Sequence, residues 1–318
     1  MKEESINNNR KHMRQDRSDW LVSRRCFLKY SGAVLTAYSF GATRSPNTTD
    51  EKHQARFGIV TDIHYANTPT AGTRHYWESL KKLNDCVELM NQEKVDFLIE
   101  LGDFKDQNSA GDEKSSLQYL TAIESVFQQY NGNRYHVLGN HDVDSISKCQ
   151  FLELVENSDI AKKLRFYSFD LHDLHFIVLD ANNRSDGSDY DHGNFDWTDA
   201  NIPRPQLKWL KQDIASTSNP VIVFIHQQLD GHDEYCVRNS SQVRKILQES
   251  KKVLIVFQGH KHSGDYSCIE NIHYYTLRAM VEGHGKENNS YAIVDVYADY
   301  NIVVSGYQKA ASKKMGME

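Results

Sequence analysis

Apolar positions along this chain follow two rhythms. Residues 56–60, 95–101, 135–138, 221–225 and 253–257 are short, nearly unbroken apolar runs, each of strand length and each ended by a polar or glycine-containing turn. Such runs are what a strand buried on both faces requires. Between them the spacing changes. In residues 77–92, Leu80, Leu83, Val87 and Met90 recur at intervals of three and four, which predicts a helix with one apolar face. Helices are likewise expected over 117–130, 205–214 and 243–248. Residues 165–181 read as a hairpin: RFYSFDL, a His-Asp turn, then LHFIVLDA. The last third, 273–308, is strand-rich (HYYTLRA, SYAIVDVY, YNIVVSGYQ), and 182–201 form a long polar loop. Strand alternating with helix, followed by further strands, predicts an α/β fold with mixed sheets.

Length and composition narrow this little. The chain has 318 residues, 39% hydrophobic and 25% charged. That is enough for a core that needs no disulfides. A net charge of −6 counts against a dedicated nucleic-acid binder. The five cysteines form no Cys-x-x-Cys pair, so a cysteine zinc site is not expected. The fifteen histidines are the unusual feature, and those beside Asp, Asn and Gly carry the chemistry.

The first 22 residues are polar and without apolar periodicity. Ser23-Arg24-Arg25-Cys26-Phe27-Leu28-Lys29 then resembles the twin-arginine export signal, and residues 30–42 supply the mildly apolar stretch that follows such a signal. That stretch is too short and too polar for a spanning helix of about 20 residues, so no stable membrane anchor is expected. The expected partition is a signal peptide at 1–42, a linker at 43–55, one enzymatic domain at 56–308 and a tail at 309–318. Export machinery would be a partner, and the mature protein would be periplasmic or extracellular. Residues 1–42 carry eight Lys and Arg against four Asp and Glu, so removing that +4 from −6 leaves −10.

Five motifs fall at the ends of expected strands: Asp62-Ile63-His64, Gly102-Asp103-Phe104-Lys105-Asp106, Gly139-Asn140-His141-Asp142, His226, and Gly259-His260-Lys261-His262. Sites in α/β folds form beyond the carboxyl ends of strands, where loops on a rigid scaffold converge. Singly each motif is weak, since Gly-Asp after a strand is usually a turn and His-x-His is often only surface. All five in this order, each after an apolar run, make a metal site the better reading.

That order resembles the calcineurin-like metallophosphoesterases, over about residues 56–308. FGIVTDIHYA, TRHYWESL, YHVLGNHD and GHKHSGDY are similar to the manganese-dependent ADP-ribose/CDP-alcohol diphosphatase branch. Vertebrate members of that branch carry Gln where this chain has His64. The resemblance implies a four-layer α/β/β/α sandwich with two mixed sheets. It also implies two divalent cations held by Asp62, His64, Asp103, Asn140, His226, His260 and His262. Asp103 would bridge; Asp62, His64 and His262 would complete one position, and Asn140, His226 and His260 the other. Mixed oxygen and nitrogen ligands suit Mn, Fe or Zn. His141 would then be an unligated proton donor, with Asp106 orienting it and Asp142 holding the loop.

Tyr65, Arg74 and His75 follow the first ligand loop and are candidates for touching substrate, while His192 and Trp197 in the polar loop are candidates for gating it. His172, His175 and His284 are given no catalytic part. The expected function is hydrolysis of phosphate mono- or diesters or nucleotide diphosphate bonds. The substrate would be a small phosphorylated molecule, a class that includes nucleotide-derived ones. A nuclease on the same scaffold and a non-catalytic metal-binding module are the alternatives.

Overall fold

The computed structural model describes residues 53–316. The twin-arginine-type run and its apolar stretch lie outside them. In chain order the described residues form β1 (His53–Val60), α1 (Ser79–Glu93), β2 (Phe97–Glu100), α2 (Glu113–Phe127), β3 (Asn133–His136), α3 (Lys148–Leu154), β4 (Tyr167–Leu171), β5 (Leu174–Val178), α4 (Arg204–Ser216), β6 (Val221–Phe224), α5 (Ser240–Ser250), β7 (Val253–Gln258), β8 (Asp265–Ile269), β9 (Ile272–Thr276), β10 (Ser290–Tyr297), β11 (Ile302–Gln308) and β12 (Lys313–Met315). Among them, no helix is long and apolar enough to cross a membrane.

Two six-stranded sheets result, in the orders β12-β11-β10-β1-β2-β3 and β4-β5-β6-β7-β9-β8. In the first, β1, β2 and β3 are parallel and β10 runs against β1. In the second, β5, β6, β7 and β9 are parallel, with β4 and β8 antiparallel at the edges. Both sheets are mixed. Their facing sides bury one cluster that includes Phe57, Phe97, Phe176, Phe224 and Phe257. The outer side of the first sheet is covered by α1, α2 and α3 through Leu83, Met90, Leu120, Ile123 and Phe151. The outer side of the second is covered by α4 and α5 through Leu210, Ile214, Val243 and Leu247. This is the expected four-layer α/β/β/α sandwich. Burial on both faces is why VIVF in β6 and VLIVFQ in β7 read as unbroken apolar runs.

The sequence pattern misses a few elements, each for a local reason. α2 starts before the apolar spacing does, because the Asp112 side chain accepts the Ser115 N–H at 2.8 Å and caps it. α3 was not expected: it has two turns at most, and a Ser147–Gln150 capping box starts it. β8 and β9 form a hairpin whose turn residues Glu270 and Asn271 both take positive φ, 50° and 61°. The segment read as a tail contains β12, which pairs with β11. The segment read as a linker gives its last residues, His53 to Ala55, to β1. His175 is held between Asp170 at 2.8 Å and Asp213 at 2.9 Å, as a structural residue would be.

Phe57 carries much of the sheet-to-sheet contact. Its ring stacks on Phe97 at 4.7 Å and meets Phe176, Phe224 and Phe257 edge-on at 5.8 Å each. It is fully buried. Phe57→Ala should therefore lower the unfolding free energy by about 3–5 kcal/mol, the usual cost of a large aromatic cavity. Denaturant titration checks this; a change within error of zero would mean that the two sheets do not depend on this contact.

Candidate metal centre

Every motif singled out in the sequence lies just past the carboxyl end of a parallel strand: β1, β2, β3, β6 or β7. The backbone there is tightly bent. Asp62, His64, Asp103 and His260 have φ of 50°, 47°, 57° and 68°, a left-handed conformation that side-chain-bearing residues seldom adopt. Bonds between the loops hold it. The Asp62 N–H donates to Gly102 O at 3.0 Å, the His64 N–H to Asp103 O at 2.8 Å and the Gly259 N–H to His226 O at 3.0 Å. Gly139 lets two of these loops touch: a Cβ there would lie 2.2 Å from the Asp103 backbone nitrogen.

Asp142 fastens the same pair of loops. Its carboxylate is fully buried and accepts four backbone N–H groups: Gly139 at 2.7 Å, Phe104 at 2.9 Å, Asp103 at 3.1 Å and Lys105 at 3.3 Å.

Two clusters of donor atoms result. One is Asp62, His64 and His262; the other is Asp103, His226 and His260. In the first, His64 Nε2 and His262 Nε2 lie 3.1 Å apart, and Asp62 Oδ1 is 3.5 Å from His262 Nε2. Asp103 Oδ2 sits between the clusters, 3.2 Å from His226 Nε2 and 3.5 Å from His64 Nε2. Asp62 Oδ1, Asn140 Oδ1, His226 Nε2 and His260 Nε2 are buried and have no hydrogen-bond partner. Leaving buried polar atoms unpaired costs about 1–3 kcal/mol each. Four such atoms around one carboxylate fit cation ligands.

The far side of each imidazole is fixed. His64 Nδ1 faces Asp106 at 2.9 Å, His262 Nδ1 faces Glu282 at 2.6 Å, and His226 Nδ1 donates to Leu101 O at 2.8 Å. That leaves Nε2 of all three for the centre, as ligating histidines require. Burial opposes charge on Asp62 and Asp103, yet the neighbouring imidazoles hold both carboxyls below their usual range. Burial, with His226 beside it, pushes His260 down to about 3, whereas, against burial, Asp103 lifts His226 to about 9 and, with Asp106 and Asp62, raises His64, so a cation taking those two rings displaces a proton from each.

His141 is a half-buried member of the group. Its Nδ1 lies 3.4 Å from Asp106 and 3.6 Å from Asp144, and its ring packs 4.7 Å from that of His64. Burial opposes its charge, but Asp106 and Asp103 reverse that and raise its pKa well above the ordinary value. Asp106 therefore serves two rings, His64 and His141, where the sequence suggested one.

Other expected residues divide. Arg74 is close enough that Asp106 and Asp103, with Tyr76, outweigh burial and keep its guanidinium charged. Tyr65 instead packs edge-on against Tyr119 at 5.9 Å in the helix-side core, because its backbone pairs with Lys105. His192 is on the surface between Asp191 and Glu113. Trp197 lies 5.5 Å from the His260 ring and 5.5 Å from Tyr235, which is itself 5.7 Å from His260. Sequence reasoning missed Glu282, Tyr235, and the buried ion pair of Lys105 with Asp144. Asp144 had a faint signal in its spacing of three from His141; Glu282 and Tyr235 stand in no motif.

A family profile described as calcineurin-like phosphoesterase matches residues 55–264. The chain is 26% identical over 309 residues to a manganese-dependent ADP-ribose/CDP-alcohol diphosphatase of Oryza sativa subsp. japonica, across 82% of this chain and 94% of that protein. It is also 26% identical over 227 residues to a probable cyclic nucleotide phosphodiesterase of Fibrobacter succinogenes, across 67% of this chain and 75% of that one. Its fold is similar to that of a dimetal phosphatase from Danio rerio, with a TM-score of 0.70 and 20% identity, covering 84% of this chain and all of the other. With the strand-end clusters in place, the chain belongs to the calcineurin-like phosphoesterase family and is a hydrolase of phosphoric esters or anhydrides.

Proposed function

We propose that this chain hydrolyses the diphosphate bond of small nucleotide-derived molecules. The proposal assigns Asp62, His64 and His262 to one cation, Asn140, His226 and His260 to the other, and Asp103 to both. The observation that carries this assignment is the set of four buried, unpartnered donor atoms on Asp62, Asn140, His226 and His260. Cations bound there clamp phosphoryl oxygens and lower the pKa of a water nucleophile. Manganese fits this donor set, as do iron and zinc.

The remaining groups give direction to the reaction. Arg74 supplies a fixed positive charge for a second phosphate. His141, held through Nδ1 by Asp106 and Asp144, gives the proton on Nε2 to the leaving oxygen. The Trp197 and Tyr235 rings, tilted 43° to one another beside His260, offer aromatic faces against which a base can stack. Stacking is what favours a nucleotide over a bare phosphate ester, in line with the names of the rice and Fibrobacter relatives.

A release assay on manganese-loaded protein tests this with ADP-ribose, a CDP-alcohol, a cyclic nucleotide and an aryl phosphate. Cleavage of the first two should dominate. Turnover of the cyclic nucleotide alone would move the reading to diesters, and no turnover of any would leave a metal-binding module. His141→Ala should keep the metal content and lose turnover by about 10²–10⁴-fold, the usual worth of a positioned general acid. The loss should shrink for nitrophenyl esters, whose leaving group needs little protonation. An equal loss for good and poor leaving groups would assign His141 to phosphoryl stabilisation instead.

We also propose export, on the Ser23-to-Lys29 run followed by an apolar stretch. Converting Arg24 and Arg25 together to Lys should keep the protein inside the cell. Fractionation that finds the double variant still outside would remove this proposal.

A further inference from the structure

Three side chains outside the strand-end clusters converge on one point. His75 immediately precedes the 3-10 turn Tyr76–Glu78, and Glu78 closes it. His284 comes from the loop before β10. Glu78 Oε1 lies 3.4 Å from His75 Nδ1 and 2.5 Å from His284 Nδ1, and the two rings are 5.6 Å apart. Glu78 Oε2 is occupied separately, accepting the Gly285 N–H at 2.8 Å. One carboxylate oxygen therefore faces two imidazole nitrogens, and the three donor atoms lie within 4.8 Å of one another.

The scaffold under this triad is firm. The His75 N–H donates to Val281 O at 3.0 Å and the Gly283 N–H to Thr73 O at 2.8 Å, so the two segments are stitched along their backbones. The buried Lys82 ammonium donates to the carbonyls of Met280, Glu282 and Gly283 at 2.9, 3.2 and 2.7 Å. Gly283 and Gly285 take φ of 75° and 78° and bracket His284. The turn between them presents the imidazole to Glu78. Glu78 is buried, His75 half-buried and His284 open to solvent. The set therefore has a fixed carboxylate at its base and an open side for water.

We propose that His75, Glu78 and His284 form a further divalent-cation site that takes zinc. Two imidazoles and a carboxylate with water in the fourth position are a zinc ligand set. Among divalent ions, zinc binds nitrogen-rich sites above manganese. The segment through His75 also carries Arg74, and the segment before His284 carries Glu282, the partner of His262. An ion here cross-links these two segments without entering the reaction.

Zinc content of the full chain after equilibrium dialysis tests this, comparing the unaltered protein with His284→Ala. His284 is exposed and belongs to neither strand-end cluster, so its removal should leave the fold and turnover unchanged. The unaltered protein should hold one zinc more per chain than the variant, and zinc should raise its Tm further. Glu78→Gln, which keeps an acceptor for Gly285, should lose the same ion. The reading is a difference between proteins, so it does not depend on how many ions the strand-end centre holds or on which substrate is cleaved. Equal zinc content in all three proteins would overturn the site.

Discussion

The buried Asp142 carboxylate is the constraint on which the site depends. β2 ends in a loop that holds Asp103 at a φ of 57°, β3 in a loop that carries Asn140, and neither loop fixes its residue alone. Four N–H groups aimed at one carboxylate join them. Burial, with Glu100 and Asp103 nearby, pushes the Asp142 pKa up to about 8, and the bonds from the backbone act against that shift. They place Asp103 and Asn140 relative to each other before any cation arrives. The sharing of Asp103 between both clusters is thus set by a residue that ligates nothing.

Around this hub the protein accepts an electrostatic load. Asp62, Glu100, Asp103, Asp106 and Asp142 are all buried, four of them in or beside the loops that end β1, β2 and β3 and Glu100 at the end of β2. His136 takes part of it: burial opposes its charge, but Glu124 and Glu100 push its pKa up to about 10. Lys105, also buried, offsets Asp144. The carboxylates beside the unpartnered donors are left to attract cations. A pocket built this way selects divalent ions by its own charge, and only then an anionic phosphate.

Much of this was legible because period and position coincide. Unbroken apolar runs can only be doubly covered strands, and the polar residue that ends each run is where a parallel sheet builds a site. The motifs therefore point to Asp62, His64, Asp103, Asn140, His226, His260 and His262, and the fold brings the side chains of Asp62, His64 and His262, and of Asp103, His226 and His260, together. What stayed hidden lacks that coincidence. Glu282 and Tyr235 reach the centre from loops whose local sequence has no period, so only tertiary packing brings them in. α3 rests on a cap more than on an apolar stripe. Tyr65 was misjudged because adjacency in sequence says nothing about which face of a bent loop a ring takes.

The two clusters draw on both sheets. Asp62, His64, Asp103 and Asn140 come from the first, and His226, His260 and His262 from the second. Each pairs residues more than a hundred positions apart in the chain. Contacts of such separation are slow to form, since the intervening loop must close before they repay its entropy. The ligand set is therefore complete only after the sheets have docked. Cations that bind it recognise a finished molecule, drain the docked state from the partly folded ensemble by mass action, and serve as a late lock on an otherwise slow, non-local topology.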